Sequence, residues 1–313
     1  MRFSMISRGL ASGTALLAAV IALGCKSLDE HGGSSVRNIP AVVEPEALPE
    51  LLDAGSGVIV LDARDRASFE VSHLPRARLA PANDWNTAAR EGTGLADHEA
   101  WGKRIAALGI DGDSRVLVYD AGSMTDAARV WFILQHAGVT HVGVLNGGLK
   151  GASSQLASIP LERGPAQSPV PSDFQIRPAS GDSTGAVGLA DKSEMKALVQ
   201  NRGRVILDTR SSDEYSGVAL GKNPRGGHLP GAVSLPHTEF YDQDGLLKPP
   251  GEVAALLRSR GIQPGTPFTV HCQGGGRSSF VALAATHAGF TEVENYHNSF
   301  GEWAADASCP IEP

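Results

Sequence analysis

Apolar positions fall into short runs and helical stripes, and their order occurs twice along the chain. Val58-Ile59-Val60-Leu61 ends in Asp62-Ala63-Arg64, and Val205-Ile206-Leu207 ends in Asp208-Thr209-Arg210. Apolar runs of this length, without polar alternation, predict strands buried on both faces, as in a parallel sheet. Arg115-Val116-Leu117-Val118-Tyr119-Asp120 and Pro267-Phe268-Thr269-Val270-His271-Cys272 predict a further strand in each half. Ala127, Val130, Trp131, Leu134 and Ala137 then share one helical face, with Gly138 as the stop. Ser278 to Ala288, stopped by Gly289, repeats that helix, and Val142–Leu145 and Val293–Tyr296 predict the strands that follow.

Shorter segments keep the same register. Ser72-His73-Leu74-Pro75-Arg76-Ala77 matches Gly227-His228-Leu229-Pro230-Gly231-Ala232. Equivalent positions stay about 150 residues apart, which reads as an internal duplication. The expected fold class is α/β, with two domains, each a central, mainly parallel sheet flanked by helices. We place the first domain at 45–155, a linker at 156–187 and the second domain at 188–310. The linker assignment rests on Pro160, Pro165, Pro169, Pro171 and Pro178 among serines and glycines.

The N-terminus follows a different pattern. Arg2 and Arg8 precede an apolar stretch, Gly9 to Leu23, too short for a comfortable membrane span. It closes on Ile21-Ala22-Leu23-Gly24-Cys25, which resembles a bacterial lipoprotein signal. That resemblance implies a signal peptide at 1–24, lipidation of Cys25 and a tether over 25–44. The location implied is the bacterial cell envelope, lipid-anchored on the periplasmic side, with secretion to the periplasm as the alternative.

Composition narrows the functional classes. The 313 residues carry a net charge of −7 without a basic stripe, which argues against a nucleic-acid binder. Three cysteines (25, 272 and 309) are too few for a disulfide framework, and their spacing predicts no metal site.

The candidate chemistry lies in His271-Cys272-Gln273-Gly274-Gly275-Gly276-Arg277-Ser278-Ser279, between a strand and a helix. Consecutive glycines let several loop N–H groups converge on one centre, and the helix N-terminus adds positive potential. Arg277 strengthens that field, and such surroundings lower a thiol pKa to roughly 3.5–7.5. Cys272 is therefore the expected nucleophile, set among groups that favour negative charge. The competing reading is a buried structural cysteine, which would require neither three glycines nor an arginine beside it. His271 precedes Cys272 on a strand and points to the other face, so it is not the expected base.

The duplicated Asp-x-Arg, His-Leu-Pro and strand-loop-helix order resembles the tandem rhodanese family of sulfurtransferases. Asn298-Ser299-Phe300-Gly301-Glu302-Trp303 is similar to that family's closing element. The resemblance implies a thiosulfate or 3-mercaptopyruvate sulfurtransferase in which Cys272 carries sulfane sulfur as a persulfide. It implies a small sulfur donor and a thiophilic acceptor such as cyanide or a thiol, with no cofactor. Such a chain is expected to act as a monomer. Arg277, Gln273, Gly274, Gly275, Gly276 and Arg210 are the expected substrate-binding residues, although for Arg210 pairing with Asp208 or another carboxylate is the favoured role and donor binding the alternative. Some family members carry a donor-binding arginine where Glu214 stands here, before Tyr215. Asp120 occupies the position of the cysteine in the first half and cannot form a persulfide, so that domain is expected to be inactive. His228, Trp131 and Trp303 are expected to be structural, and Cys309 incidental. The competing enzyme class is a cysteine-dependent phosphatase or arsenate reductase, whose signature has one more residue between cysteine and arginine. The third reading is a non-catalytic persulfide carrier.

Overall fold

Ten strands, all paired in parallel, form two five-stranded sheets among the residues that the computed structural model describes, 38–176 and 187–313. The signal segment and Cys25 lie outside the described residues, as does most of the expected tether. The first sheet contains β1 (Val42–Val43), β2 (Val58–Asp62), β3 (Arg78–Leu79), β4 (Arg115–Tyr119) and β5 (Val142–Leu145), in the order β1-β5-β4-β2-β3. The second contains β6 (Gly188–Leu189), β7 (Val205–Asp208), β8 (Val233–Ser234), β9 (Phe268–His271) and β10 (Val293–Asn295), in the equivalent order β6-β10-β9-β7-β8. Asp62 pairs with Tyr119 and Asp208 with His271. Each Asp-x-Arg pair therefore shares the carboxyl edge of its sheet with position 120 or 272, the edge at which open α/β sheets bind ligands.

The first half contains the helices α1 (Leu48–Leu51), α2 (Arg66–Val71), α3 (Ala82–Ala88), α4 (His98–Ala106), α5 (Thr125–His136), α6 (Gly148–Gly151) and α7 (Ser153–Leu156). The second contains α8 (Lys192–Asn201), α9 (Ser212–Tyr215), α10 (Pro250–Ser259), α11 (Gly276–His287) and α12 (Ser299–Ala305). Helices α5 and α11 pack against each other, and one hydrophobic cluster runs through both halves. Phe132 and Leu134 lie in it on one side, and Phe280 and Leu283 on the other. Every residue from Ser278 to Ala285 is buried. An apolar, all-round-buried helix is what a seam between two sheets requires.

The repeated motifs do the same work in each half. Arg64 donates to Asp62 and to the Ser72 carbonyl, and Arg210 donates to Asp208 and to the Gly227 carbonyl. His73 stacks on Phe69 at 3.8 Å, and His228 stacks on Tyr215 at 3.7 Å. The tail of each half then returns to its histidine, Glu162 pairing with His73 and Glu312 with His228. The stretch expected as a linker is not a free tether over its described part. Ser172 N donates to the Ala106 carbonyl, and Phe174 is buried in the shared core. Trp131 and Trp303 are buried, the latter bonded to the Pro310 carbonyl.

Candidate active site

Strand β9 ends at His271, and Cys272 follows at the floor of a cleft of about 320 Å³. The Cys272 sulfur accepts the N–H groups of Gly275 at 3.1 Å and Gly274 at 3.4 Å. Ser299 Oγ lies 3.8 Å from the same sulfur and also accepts the Cys272 N–H at 3.1 Å. The loop closes tightly because Gly275 adopts φ +94°, in the left-handed region that favours glycine. A Cβ there would come within 2.7 Å of the His297 carbonyl. At Gly276 the constraint is different, because a Cβ there would come within 2.8 Å of Arg129 Nη2.

Burial raises the Cys272 thiol pKa, but Arg277 and the N–H groups of the loop and helix outweigh it, and the net shift is downward. The thiolate is thus favoured by Arg277 and the loop N–H groups, without an imidazole partner. His271 is fully buried between the Cys272 carbonyl and Asp208, and burial lowers its pKa. Burial, and then Arg277, depress His237 to about 4. His297 is lowered well below its ordinary value by burial, then by Arg129 and Arg90.

Arg277 does not stand alone. Its two terminal nitrogens donate to Glu214 at 2.6 and 2.9 Å. Gln273 lines the cleft, but its carboxamide is engaged in a two-way bond with Asn223 (2.9 and 2.7 Å). Gly274 and Gly276 line the cleft, while Gly275 is buried beneath them. Arg210 takes the pairing role that the sequence favours, and the alternative of donor binding is corrected. It is only 1% exposed, and its guanidinium is held by Asp208 and Gly227 and lies 3.8 Å above the Phe300 ring. A side chain so enclosed cannot receive an anion from the cleft.

The far wall of the cleft comes from the other half of the chain. Asn86, Arg90, Thr125, Asp126 and Arg129 face the cysteine loop. Arg129 Nη1 donates to Asn86 Oδ1 at 2.5 Å and to the Gly274 carbonyl at 2.6 Å. Arg90 donates to the Asn298 carbonyl at 2.8 Å. The sequence reading missed both arginines. The available signal was Arg129 itself, a cation inside the apolar run Ala127-Ala128-Arg129-Val130-Trp131.

The corresponding loop of the first half is filled by its own carboxylate. Asp120 accepts N–H groups from Gly122 (2.8 Å), Met124 (3.0 Å), Asp126 (3.2 Å) and Ala127 (3.3 Å). The cradle survives there with a carboxyl group in place of a nucleophile, and burial raises the pKa of that group. A larger hollow of about 500 Å³, around Arg202, Arg204 and Thr266, lies at the amino ends of β7 and β9, on the opposite edge of the sheet from Cys272.

The family model for the rhodanese-like domain matches residues 44–155 and again 191–306, and the chain belongs to the rhodanese family. The human 3-mercaptopyruvate sulfurtransferase is 29% identical, over 81% of this chain and 84% of its own length. The same-named protein of Escherichia coli K12 is 31% identical, over 69% and 74%. The thiosulfate sulfurtransferase of Azotobacter vinelandii is 30% identical, over 88% and 98%. The crystal structure of YnjE superposes with a TM-score of 0.74 at 24% identity, covering 87% of this chain and 68% of that one, and supports the fold. The chain is a sulfurtransferase by class.

Proposed function

We propose that Cys272 is the sulfur-carrying nucleophile of a thiosulfate or 3-mercaptopyruvate sulfurtransferase. The observation that carries this reading is the Cys272 sulfur accepting two loop N–H groups at the floor of the cleft. With thiosulfate, the thiolate attacks the outer sulfur, the sulfur–sulfur bond breaks and sulfite leaves with the bonding pair. The persulfide anion that remains is held by the loop N–H groups, which need no reorganisation as charge moves from one sulfur to the next. Cyanide or a thiolate then attacks the terminal sulfur and expels the Cys272 thiolate, which restores the enzyme. The relatives' names supply both donor classes, and kcat/KM for thiosulfate against 3-mercaptopyruvate distinguishes them. Thiocyanate production from thiosulfate and cyanide, lost in Cys272→Ser, tests the proposal. A Cys272→Ser protein with wild-type turnover contradicts it.

The basic start and the Gly24-Cys25 junction support a lipid anchor at Cys25 and an envelope location. Unchanged membrane association and processing in Cys25→Ser would contradict lipidation.

A further inference from the structure

The glycine loop offers N–H groups to sulfur but has one charged side chain, and Arg277 has committed both ends of its fork to Glu214. A donor such as thiosulfate also carries an anionic head that must lose part of its hydration when it enters the cleft. Two guanidiniums on the opposite wall have unused capacity. Arg129 uses only Nη1, so Nε and Nη2 have no hydrogen-bond partner among the described residues. Arg90 uses only Nη2 and leaves Nε and Nη1 without one.

Both contacts fix these cations to the cysteine-bearing half, through the carbonyls of Gly274 and Asn298. Arg129 is seated on α5, at the seam with α11, where an unused cation is costly to keep. Asp126 is the one carboxylate lining that wall, against two arginines. Arg129 also feels the Cys272 charge, although burial, Arg277 and the N–H groups lead among the influences on Cys272 itself.

We propose that Arg90 and Arg129, both from the half that lacks a nucleophile, form the subsite that holds the anionic head of the sulfur donor. The outer sulfur then points into the Cys272 loop while the sulfonyl oxygens of thiosulfate, or the carboxylate of a keto-acid donor, face the two guanidiniums. This rests on Cys272 being the nucleophile. It gives the first domain a role in chemistry that it cannot perform alone, and it explains how Glu214 is tolerated beside the loop.

The test separates the two readings by alkylation of the full-length protein with iodoacetate (anionic) and iodoacetamide (neutral), followed at the Cys272 peptide. The ratio of the two rates reports the potential at the sulfur without requiring sulfur transfer. Arg129→Gln and Arg90→Gln should each lower the iodoacetate:iodoacetamide ratio by about threefold or more, and Arg129→Lys should retain most of it. KM for thiosulfate, and for 3-mercaptopyruvate if it is the donor, should rise about tenfold, with a smaller change in kcat. If Arg129→Gln does not fold, Arg90→Gln and the charge reversal Arg90→Glu decide the question at a site that is exposed. A reactive Cys272 with an unchanged ratio in folded variants overturns the subsite alone. A Cys272 inert to both reagents overturns the nucleophile reading and the subsite together.

Discussion

Arg277 places both terminal nitrogens on Glu214, Nη1 at 2.6 Å from Oε2 and Nη2 at 2.9 Å from Oε1. Glu214 in turn caps α9, accepting the Ser211 N–H and hydroxyl at 3.0 and 3.1 Å. The arginine that ends the cysteine loop is thus tied to the segment that follows the Asp-x-Arg strand. Burial raises the Glu214 pKa, but Arg277 and Ser211 overcome it and bring it to about 2. Its folded value lies below the ordinary 4.5, so its contribution to stability is full above that pH. The contribution should be lost as pH falls from 4.5 towards 2. The urea midpoint of the wild type should decline over this window, and that of Glu214→Gln should decline less.

Removing the carboxylate also changes the thiol. With Glu214→Gln the positive charge of Arg277 is no longer offset, and an uncompensated cation favours thiolate. The pH midpoint of Cys272 alkylation should move down by about half to one unit. A midpoint that rises, or stays fixed, would show that Arg277 acts on Cys272 only through its placement by Glu214.

Changes at Arg277 should act in the opposite direction. Arg277→Ala removes the charge and leaves the half-buried Glu214 unpaired, whereas Arg277→Lys keeps the charge but loses the two-point fork. The alkylation midpoint should rise in both, further in Ala, with activity falling in the same order. The double variant Arg277→Ala/Glu214→Ala should lose less stability than the two single losses combined, because neither charge is left without its partner. Additive losses would indicate that the pair contributes nothing.

Arg210 should behave as a framework residue. Its place is duplicated by Arg64 in the half without a nucleophile, with the same aspartate and carbonyl partners. Arg210→Met leaves Asp208 as an unpaired buried charge and should cost about 3–5 kcal/mol of stability. The folded fraction should bind thiosulfate with unchanged KM. A raised KM with an unchanged melting curve would return Arg210 to the donor site.

Asp120 provides the matching test in the first half. Asp120→Asn keeps the shape but turns an amide NH₂ towards loop N–H groups that now meet a carboxylate, which should cost about 1–3 kcal/mol. Persulfide formation at Cys272 should persist. Its loss in a stably folded Asp120→Asn protein would mean that Asp120 itself takes part in the chemistry.

The two sheets were legible because parallel, doubly buried strands are written as unbroken apolar runs, and Val58–Leu61 and Val205–Leu207 stood out on that basis alone. The cysteine loop was legible because three glycines ahead of an arginine have a geometric purpose. Arg90 and Arg129 were not, because the end of α3 and the start of α5 meet the second half only through packing that joins positions far apart in sequence. Glu214 was visible as a change of charge, but its pairing with Arg277 depends on how α9 and the start of α11 approach. The docking of the stretch between the two halves was not legible, because Pro and Ser content reports a lack of regular structure and says nothing about contacts. Ser172 and Phe174 are irregular and yet docked.

The central claim is that a single cysteine, Cys272, carries the transferred sulfur, and intact mass measures it directly. After brief exposure to thiosulfate and removal of excess donor, the wild-type protein should gain the mass of one sulfur atom, located to the Cys272 peptide and released by cyanide. Cys272→Ser should gain none. A wild-type protein that takes up no sulfur, or a Cys272→Ser protein that still does, would contradict the account.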